Sequence, residues 1–594
     1  MAASEEYRSR RNHWLQRRQE SERLFIRIGN ARLVLGITEG ILAYLVFGPG
    51  RVPAFSLAIP VVLFIVLAVW QSRVVRERTL ADRALSFYDR GLARLDDKWV
   101  GSGSSGERFR DGSHVYADDL DLFGKGSLFE LIAETRTAAA EQMLASWLLA
   151  SATYAEALER QAAVKELRDG VGLREHFGLL GPDIQAEVSV EAVAKWGESP
   201  IVHFPSVLRP VFAVFACISV ALLVAFFAGQ ISPVPLVAAV AIDVSIGFAL
   251  RSKVQPVLNH LDAVSHGLPI LSLAFARLER ESFEAPLLQR LMSELLAEHT
   301  PASVRVRQLA RWVDWHDSAD HALIRALRPL LFWGEQIAMG VERWRRQSGP
   351  RVASWLRALA EFEALSSLAA LSFERPGWSF PELLPGAVAT FSAEDLKHPL
   401  LPQARAVGND ASLGQELRLL IVSGSNMSGK STFLRAIGLN TALAWAGGPV
   451  CARSMQVSCL HLGASIRVTD SVLDNRSRFF AEIVRIKQIV DLAKSSQTAL
   501  FLLDELLSGT NSHDRQIGAA AIVRKLVEFG AIGVITTHDL ALAHIQDELN
   551  GCAANAHFDD QILNGEITFD YRLRPGIVTH SNALELMRSV GLDV

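Results

Sequence analysis

The stretch "SGSNMSGKST", from Ser423 to Thr432, decides the fold of the C-terminal third of this chain. It follows the apolar run "LRLLIV" and continues into "TFLRAIGLNTALAWAG", whose apolar residues recur at helical spacing. Gly424, Gly429, Lys430 and Ser431 have the spacing of a P-loop, in which backbone N–H groups and a lysine surround phosphates and a serine hydroxyl ligates magnesium. This order of strand, loop and helix predicts an α/β nucleotide-binding domain, with the helix N-terminus facing the phosphates.

Two acidic residues end a second apolar strand, "TALFLLDE". Acids at such a strand end hold magnesium through water and polarise the attacking water. We therefore assign Asp504, with Ser431, to the metal, and Glu505 to the general base. A third apolar run, "AIGVITTHD", places His538 where it can sense a γ-phosphate. Two acids or a histidine alone would more often be structural, and it is their position after a P-loop that favours catalysis.

Seven motifs follow one another in one register between about Lys397 and Leu592. They are "KHPLL", "NDASLG", "SNMSGKST", "SRFFAEI", "DELLSGTNSHD", "NAHFDD" and "YRLRPGIVTHSNALELMRSVGL". In this order they resemble the ATPase domain of the MutS DNA mismatch-repair family, which is part of the ABC-type ATPases. The Asn-Met pair within the loop is more specific to that family than the P-loop pattern itself.

The resemblance implies a homodimer that binds ATP and Mg²⁺, with each site completed by the other subunit. Ser477, in "SRFFAEI", would reach the γ-phosphate of the other subunit's ATP, and His557 would lie near a nucleotide. The residues that the resemblance assigns to ATP, besides His557, are Gly424, Ser425, Asn426, Met427, Ser428, Gly429, Lys430, Ser431 and Thr432.

The chain departs from the family pattern at two places. Ser425 and Ser428 stand where the family usually has Pro and Gly, which changes the flexibility of the loop. Ala406 and Val407 occupy the region where the family often has an aromatic residue that stacks on adenine. These departures leave the phosphate chemistry unaffected. The resemblance does not, however, identify a residue that would select adenine.

Four long apolar stretches predict membrane-spanning helices, since a bilayer core needs about 20 apolar helical residues. Arginines flank the outer ends of both pairs, so the positive-inside rule predicts two hairpins with both termini and the ATPase domain in the cytoplasm, at the inner membrane of a bacterium. The stretches are Leu33 to Gly50 with Glu39, Val52 to Gln71, about Val207 to Ala228, and Val234 to Leu250 with Asp243.

The composition of the 594-residue chain excludes few classes of protein. The net charge is −4, from 60 basic and 64 acidic residues, so no overall basic excess indicates a nucleic-acid partner. The four cysteines lack the spacing of metal ligands, and we expect reduced thiols. The mean hydropathy of +0.20 is high for a soluble enzyme and agrees with the apolar stretches.

The middle of the chain is predicted to be helical. The stretch Tyr116 to Leu149 resembles the start of the MutS core domain, and Trp355 to Glu374 resembles the helix that returns to the ATPase. We find no counterpart of the mismatch-reading domain. The fold class is therefore multidomain, with helical membrane hairpins and an α-helical core and lever region before a C-terminal α/β P-loop ATPase domain of the ABC/MutS type. The predicted parts are 1–30 (basic N-terminus), 31–72 (hairpin), 73–205 (core), 206–250 (hairpin), 251–384 (lever) and 385–594 (ATPase).

Three functions remain open from the sequence. The first is a membrane-anchored MutS-like ATPase dimer, coupled to double-stranded DNA as in mismatch repair. The second is a nucleotide-gated membrane scaffold without mismatch repair. The third is an ABC-type transport ATPase. The stretch "NRSRFFAEI" argues against this function, because transporters carry a Ser-Gly-Gly-Gln type signature at that place.

Overall fold

Helices form the N-terminal two thirds of the chain, and two β-sheets with their helices form the rest. The computed structural model describes residues 2–48, 52–180, 190–264, 267–296, 300–318, 325, 327–386, 388–467, 478–495, 498–507, 511–538, 543–549, 551–563 and 566–578.

The described helices are numbered here in chain order. They are α1 (Ala2–Phe47), α2 (Ala58–Leu95), α3 (Leu128–Ile132), α4 (Ala138–Leu149), α5 (Tyr154–Leu167), α6 (Val171–Leu179), α7 (Val190–Glu198), α8 (Leu208–Phe227), α9 (Pro233–Val264), α10 (Leu268–Leu278), α11 (Pro286–Leu296), α12 (Ala302–Asp317), α13 (Trp333–Glu374), α14 (Lys430–Ala446), α15 (Arg478–Ser495), α16 (Ser512–Glu528) and α17 (Ile545–Glu548).

The first two helices form an antiparallel hairpin whose stem is held by ion pairs. From one ion pair to the next, the residue number rises in α1 by as much as it falls in α2. The side-chain nitrogen to oxygen distances are 2.6 Å, 2.5 Å and 3.0 Å for Arg11 with Asp89, Arg18 with Asp82, and Arg78 with Glu22. The boundaries predicted after residues 30 and 72 fall inside these two helices, so the stem and the apolar end form one continuous hairpin.

Each of the four predicted spans lies in a helix that is long and apolar enough to cross a membrane, namely α1, α2, α8 and α9. Their most apolar 18-residue windows are only 0 to 11% buried within the protein. A helix that packs on a protein core would instead bury one apolar face. Large side chains such as Leu33, Phe227 and Phe248 therefore face outward, at 66%, 79% and 74% exposure.

The hairpin of α8 and α9 accommodates its acid by pairing it internally. Ser219 Oγ on α8 donates a hydrogen bond of 2.6 Å to Asp243 Oδ2 on α9, and both residues are buried. Asp243 thus faces the neighbouring helix rather than the surroundings, which is the arrangement in which a membrane helix tolerates an acid.

Helix α13 contacts both hairpins. At its N-terminal end, Phe332 stacks on Phe212 of α8 with ring centroids 4.6 Å apart. At its C-terminal end, Glu374 accepts hydrogen bonds from Arg94 of α2 at 2.6 and 2.7 Å and from Tyr7 of α1 at 3.1 Å. The helix has 42 residues, and at 1.5 Å per residue it is about 63 Å long. It ends just before the first strand of the α/β region.

The strands belong to two sheets. The smaller sheet has the order β1-β5-β2-β3, and the larger has the order β10-β9-β4-β8-β7-β6, with β10 antiparallel to β9 and the other neighbours parallel. The strands are β1 (Glu382–Leu384), β2 (Phe391–Leu396), β3 (Asn409–Leu413), β4 (Leu419–Ser423), β5 (Ser454–Ser458), β6 (His461–Ser465), β7 (Ala499–Asp504), β8 (Ile532–Thr537), β9 (Ala553–Leu563) and β10 (Glu566–Pro575).

The register of the larger sheet brings the predicted site residues to one edge. Ser423 at the end of β4 is opposite Thr537 of β8, and Asp504 at the end of β7 is opposite Thr536. The carboxyl ends of parallel strands are where α/β proteins bind ligands. All five residues of β4 are buried, so the loop that follows is anchored in the core.

The buried contact of Arg94 with two carboxylates yields a stability prediction. Arg94 lies close to Glu374 and Glu134, whose side chains are 1% and 12% exposed. We expect Arg94→Met to destabilise the protein by about 3–5 kcal/mol, because two buried acids lose their counter-ion. Arg11→Met removes an exposed ion pair on the same hairpin and should cost at most about 1 kcal/mol.

The measurement is the apparent melting temperature of the full chain in detergent, for both variants. Adding Glu374→Leu to Arg94→Met should recover part of the loss, because it removes one of the unpaired acids. Equal melting temperatures for the two single variants would contradict this account.

Candidate nucleotide site

The loop between β4 and α14, residues Gly424–Gly429, is called the glycine loop below. Gly424 has φ +149° and Gly429 has φ +108°, values that favour glycine. A Cβ atom on Gly424 would lie 2.9 Å from Ser428 Oγ and 3.0 Å from the carbonyl oxygen of Phe558. Met427 also has a positive φ, +67°, and its side chain is 84% exposed. The sequence therefore places glycine where this tight turn requires it.

Lys430 is the first residue of α14, and its side chain is folded back under the loop. Its Nζ donates to the carbonyl oxygens of Gly424 at 2.9 Å and Ser425 at 2.8 Å. Burial lowers the pKa of Lys430, and the charges of Glu505 and Asp504 partly oppose this shift. A buried ammonium group that bonds to two neutral carbonyls gains from a charged acceptor, since hydrogen bonds between charged groups are the stronger ones.

The two serines of the glycine loop carry buried hydroxyls without a partner. Ser425 Oγ and Ser428 Oγ have no hydrogen-bond partner within the described part of the chain. Buried polar atoms are normally paired, so an orphaned hydroxyl calls for an explanation. The first turn of α14 and Lys430 fit a phosphate group. The two unpaired hydroxyls lie at the back of the loop and do not line the cavity described below.

Thr536 organises the two acids at the end of β7. Its Oγ1 donates to Asp504 Oδ1, and it accepts a 3.1 Å hydrogen bond from the backbone N–H of Glu505. Glu505 has φ +49°, an uncommon conformation for a non-glycine residue and one that recurs at functional sites. Its Oε1 is 2.7 Å from His538 Nε2, which is 3.3 Å from Lys430 Nζ. The predicted base, sensor and phosphate lysine are therefore in direct contact.

A cavity of about 520 Å³ lies beside the glycine loop. Seven of the predicted residues line it, and the other lining residues come from β2, β3 and the segment between them, from α14, and from β9 and β10. The predicted ones are Asn426, Met427, Gly429, Lys430, Ser431, Thr432 and Glu505.

The remaining predicted residues other than His557 divide into three groups. Asp504 and His538 do not line the cavity themselves. Asp504 is linked through Thr536, and His538 through Glu505, to the residues that do. Gly424, Ser425 and Ser428 form the back of the loop. Ser477 lies outside the described residues.

His557 does not line the cavity. It lies on β9 beside Ser423, and its Nδ1 is 3.0 Å from the carbonyl oxygen of Gly576. Its neighbour Phe558 lines the cavity instead. His557 is thus near the start of the loop, but its ring contacts the segment that follows β10, and its role at a nucleotide stays a prediction.

Tyr571 is a site residue that the sequence analysis did not single out. It has φ +56° at an irregular point in the pairing of β10 with β9, and it lines the cavity. Asn409 holds it there, because Asn409 Nδ2 donates to the Tyr571 carbonyl at 3.0 Å. A Cβ on Gly429 would lie 3.2 Å from the Tyr571 ring, so the ring lies over the end of the loop.

The signal for Tyr571 was present in the sequence. It is the first residue of the stretch "YRLRPGIVTHSNALELMRSVGL", one of the seven motifs that resemble the family. Val407, which stands in the region where the family often has an aromatic residue, also lines the cavity.

His398, from the motif "KHPLL", adds a neutral group to the wall. Burial, aided by the charge of Arg435, lowers the pKa of His398 to about 4. Its Nδ1 accepts a hydrogen bond of 3.3 Å from the backbone N–H of Leu400. His398 is therefore uncharged near neutral pH, whereas Arg405, which lines the same wall, carries a positive charge.

Glu482 is a second residue whose role the sequence did not indicate. It is the acid of "SRFFAEI", it is buried, and its Oε1 accepts a 2.6 Å hydrogen bond from the backbone N–H of Leu507. Leu507 follows Glu505 by two residues and also has a positive φ, +56°. Glu482 thus ties α15 to the segment that carries the predicted base, and it acts as a positioning residue.

Comparisons with known proteins agree with the C-terminal motifs. Residues 420–593 match the family model described as MutS domain V. The chain is 33% identical over 199 residues to Endonuclease MutS2 of Thermomicrobium roseum, and 32% identical over 206 residues to Endonuclease MutS2 of Shouchella clausii. It is 26% identical over 351 residues to the DNA mismatch repair protein MutS of Nitratidesulfovibrio vulgaris.

The extent of these matches differs between the relatives. The two MutS2 matches cover 33% of this chain and 24% and 25% of those proteins, and the MutS match covers 58% and 38%. The chain thus spans about a quarter to two fifths of the length of these relatives. The matches support membership of the MutS family.

Proposed function

We propose that this chain is a membrane-anchored ATPase of the MutS type that hydrolyses Mg²⁺-ATP as a homodimer. One observation carries the proposal. At the carboxyl edge of the larger sheet, the glycine loop, Lys430 and Glu505 line one cavity of about 520 Å³, and Thr536 links Asp504 to the backbone of Glu505. The matches to MutS domain V support the same reading.

The residues divide the binding of ATP between them. The backbone N–H groups of the glycine loop, which includes Ser425 and Ser428, would hold the phosphates together with the first turn of α14 and Lys430. Ser431 and Asp504 would hold Mg²⁺, which neutralises charge on the phosphates when bound. Thr536 keeps the Asp504 carboxylate in place through its hydroxyl.

Glu505 would accept the proton of the attacking water. Its backbone is held by Thr536, and its carboxylate contacts His538. His538 would orient Glu505 and respond to the γ-phosphate through Lys430. Ser477 and the trans arrangement of the sites rest on the family resemblance, and they make dimer formation part of the proposal.

The catalytic assignment is tested with Glu505→Gln. A positioned general base contributes about 10²–10⁴-fold to rate, so we expect hydrolysis by the full chain in detergent to fall at least a hundredfold. ATP binding, measured by calorimetry, should stay within a few-fold. Glu528→Gln, which changes an exposed acid on α16, is the matched control and should leave both unchanged. Unimpaired hydrolysis by Glu505→Gln would overturn the role of the residue, and ATP binding that survives Lys430→Ala would overturn the site.

We assign to Tyr571 the stacking contact with the base of the nucleotide. Stacking of a base on an aromatic ring is worth about 1–3 kcal/mol, so Tyr571→Ala should raise the Kd for ATP about 5- to 150-fold, whereas Tyr571→Phe should not. Both are compared with His557→Ala, because His557 is the competing assignment. Weaker binding by His557→Ala alone would place the base on the other side of the β9–β10 hairpin.

Double-stranded DNA is a proposed partner, supported by the names of the relatives alone. Exposed arginines on α12 and α13 are the candidates for phosphate contacts. They are Arg307, Arg311, Arg343 and Arg346. Arg345, which lies between them on α13, is buried and donates to the carbonyl oxygens of Trp196 at 2.9 Å and Ser199 at 2.7 Å. Its role is therefore structural.

We expect the full chain to bind duplex DNA with an affinity that falls steeply with salt, since each phosphate contact releases counterions. The double change Arg343→Gln with Arg346→Gln should weaken binding severalfold and reduce the salt slope. Arg345→Gln should instead lower the melting temperature. Matched and mismatched duplexes are compared in the same titration. Equal affinity favours a membrane scaffold over mismatch repair, and no binding at low salt removes DNA from the proposal.

A further inference from the structure

A groove runs between α1 and α2 at the level where their uncharged segments begin. It has a volume of about 480 Å³, and its walls include Leu33 and Ile37 of α1 and Phe64 of α2. Arg32 and Gln71, which also line it, are the residues that border the two apolar stretches. The groove therefore crosses the boundary between the stem of the hairpin and its apolar end.

Glycines on α1 keep the groove open. Gly29 and Gly36 both line it, two helical turns apart on one face of the helix. A Cβ atom on either glycine would have no neighbouring atom within 4 Å. Leu33 and Ile37, beside them, are 66% and 57% exposed. The furrow is thus apolar and accessible along its length, which suits an extended hydrocarbon chain.

Arg32 gives the groove one charged end. Its Nη1 donates to Gln71 Oε1, and its guanidinium lies 4.5 Å from the centre of the Phe64 ring. Its Nε is buried and has no hydrogen-bond partner within the described residues. A guanidinium has five N–H donors, and one neutral amide oxygen leaves most of them available.

The rest of the hairpin shows what Arg32 lacks. Lower in the stem, Arg11, Arg18 and Arg78 are each paired with an acid of the opposite helix. Arg32 forms no such ion pair in the described part of the chain, and at its level α2 presents the neutral Gln71. Glu39 is seven residues further along α1, about 10 Å away along the axis. The counter-ion for Arg32 must therefore come from outside the hairpin.

A second copy of the hairpin does not meet this requirement. It would bring its own Arg32 and the exposed Arg27, Arg73 and Arg76 to this region together with the exposed acid Glu77, and so add net positive charge. An anionic lipid brings opposite charge at the headgroup and apolar chains beneath it. Clusters of basic residues next to a membrane helix attract anionic lipids in general.

We propose that this groove binds one anionic phospholipid, with its phosphate on Arg32 and one acyl chain in the furrow formed at Gly29 and Gly36. The inference rests on the proposed insertion of α1 and α2 into a membrane. It adds a defined lipid-binding site to the inserted hairpin, and this site would select lipids by the charge of their headgroup.

The test uses the full chain in nanodiscs of phosphatidylcholine with or without phosphatidylglycerol, followed by native mass spectrometry of the retained lipid. The wild-type chain should retain phosphatidylglycerol at least fivefold over phosphatidylcholine. Arg32→Gln should abolish this preference, and Gly36→Leu, which fills the furrow, should reduce retention of either lipid. Arg27→Gln removes the same charge from an exposed position near the boundary and should keep at least half of the preference.

The outcomes separate the lipid site from the membrane anchor. Resistance of the native protein to extraction by alkaline carbonate is measured first, and extraction into the soluble fraction would overturn the proposed insertion itself. If the protein stays in the membrane, equal retention of the two lipids overturns the lipid site alone. Equal effects of Arg32→Gln and Arg27→Gln also overturn it, since they would show a general attraction of basic charge. Folding of each variant is confirmed by its ATP binding, which depends on a distant domain.

Discussion

The contact of Arg94 with Glu374 and Glu134 is the constraint on which the rest of the arrangement depends. It joins the stem of the first hairpin to the end of α13 and to the helical core, and it is almost completely buried. Buried ion pairs contribute little net stability compared with apolar packing, but breaking one is costly. Their geometry is strict, so this contact defines where α13 ends relative to the hairpin. The ATPase-like domain begins eight residues later, at Glu382.

This constraint also determines how far the α/β domain lies from the proposed membrane. Arg94 follows Gln71 by 23 residues of continuous helix, which corresponds to about 35 Å. The other end of α13 packs against α8 near the start of its apolar segment, through Phe332 and Phe212. Helix α13 would therefore descend from the membrane surface to the level of Arg94. A single helix, with Pro350 in its interior, thus contacts both hairpins and leads into the α/β domain.

The parts of the site that could be predicted from the sequence are those determined by local chemistry. The glycine loop, Lys430, Asp504 and Glu505 each follow a buried strand, and parallel strands of one sheet end at the same edge. Tyr571 and Glu482 could not be predicted in the same way. The ring of Tyr571 depends on the irregular pairing of β10 and on a hydrogen bond from Asn409, which is far away in the sequence. Glu482 acts through the backbone of Leu507, and such a contact leaves no pattern in the sequence.

Motion at the nucleotide site would act on the hairpins through continuous packing. Helix α14 packs tightly on the helical core, since a Cβ on Gly438 would lie 2.5 Å from the Leu120 side chain, and one on Gly447 would lie 2.5 Å from Arg160. Packed interfaces of this kind shift between discrete arrangements rather than deform gradually. A nucleotide can shift such an equilibrium only by binding the two arrangements with different affinity. The groups able to sense the nucleotide are those that now form hydrogen bonds which a phosphate would replace. In this structure they are Lys430, which bonds to two loop carbonyls, and the His538–Glu505 pair beside it.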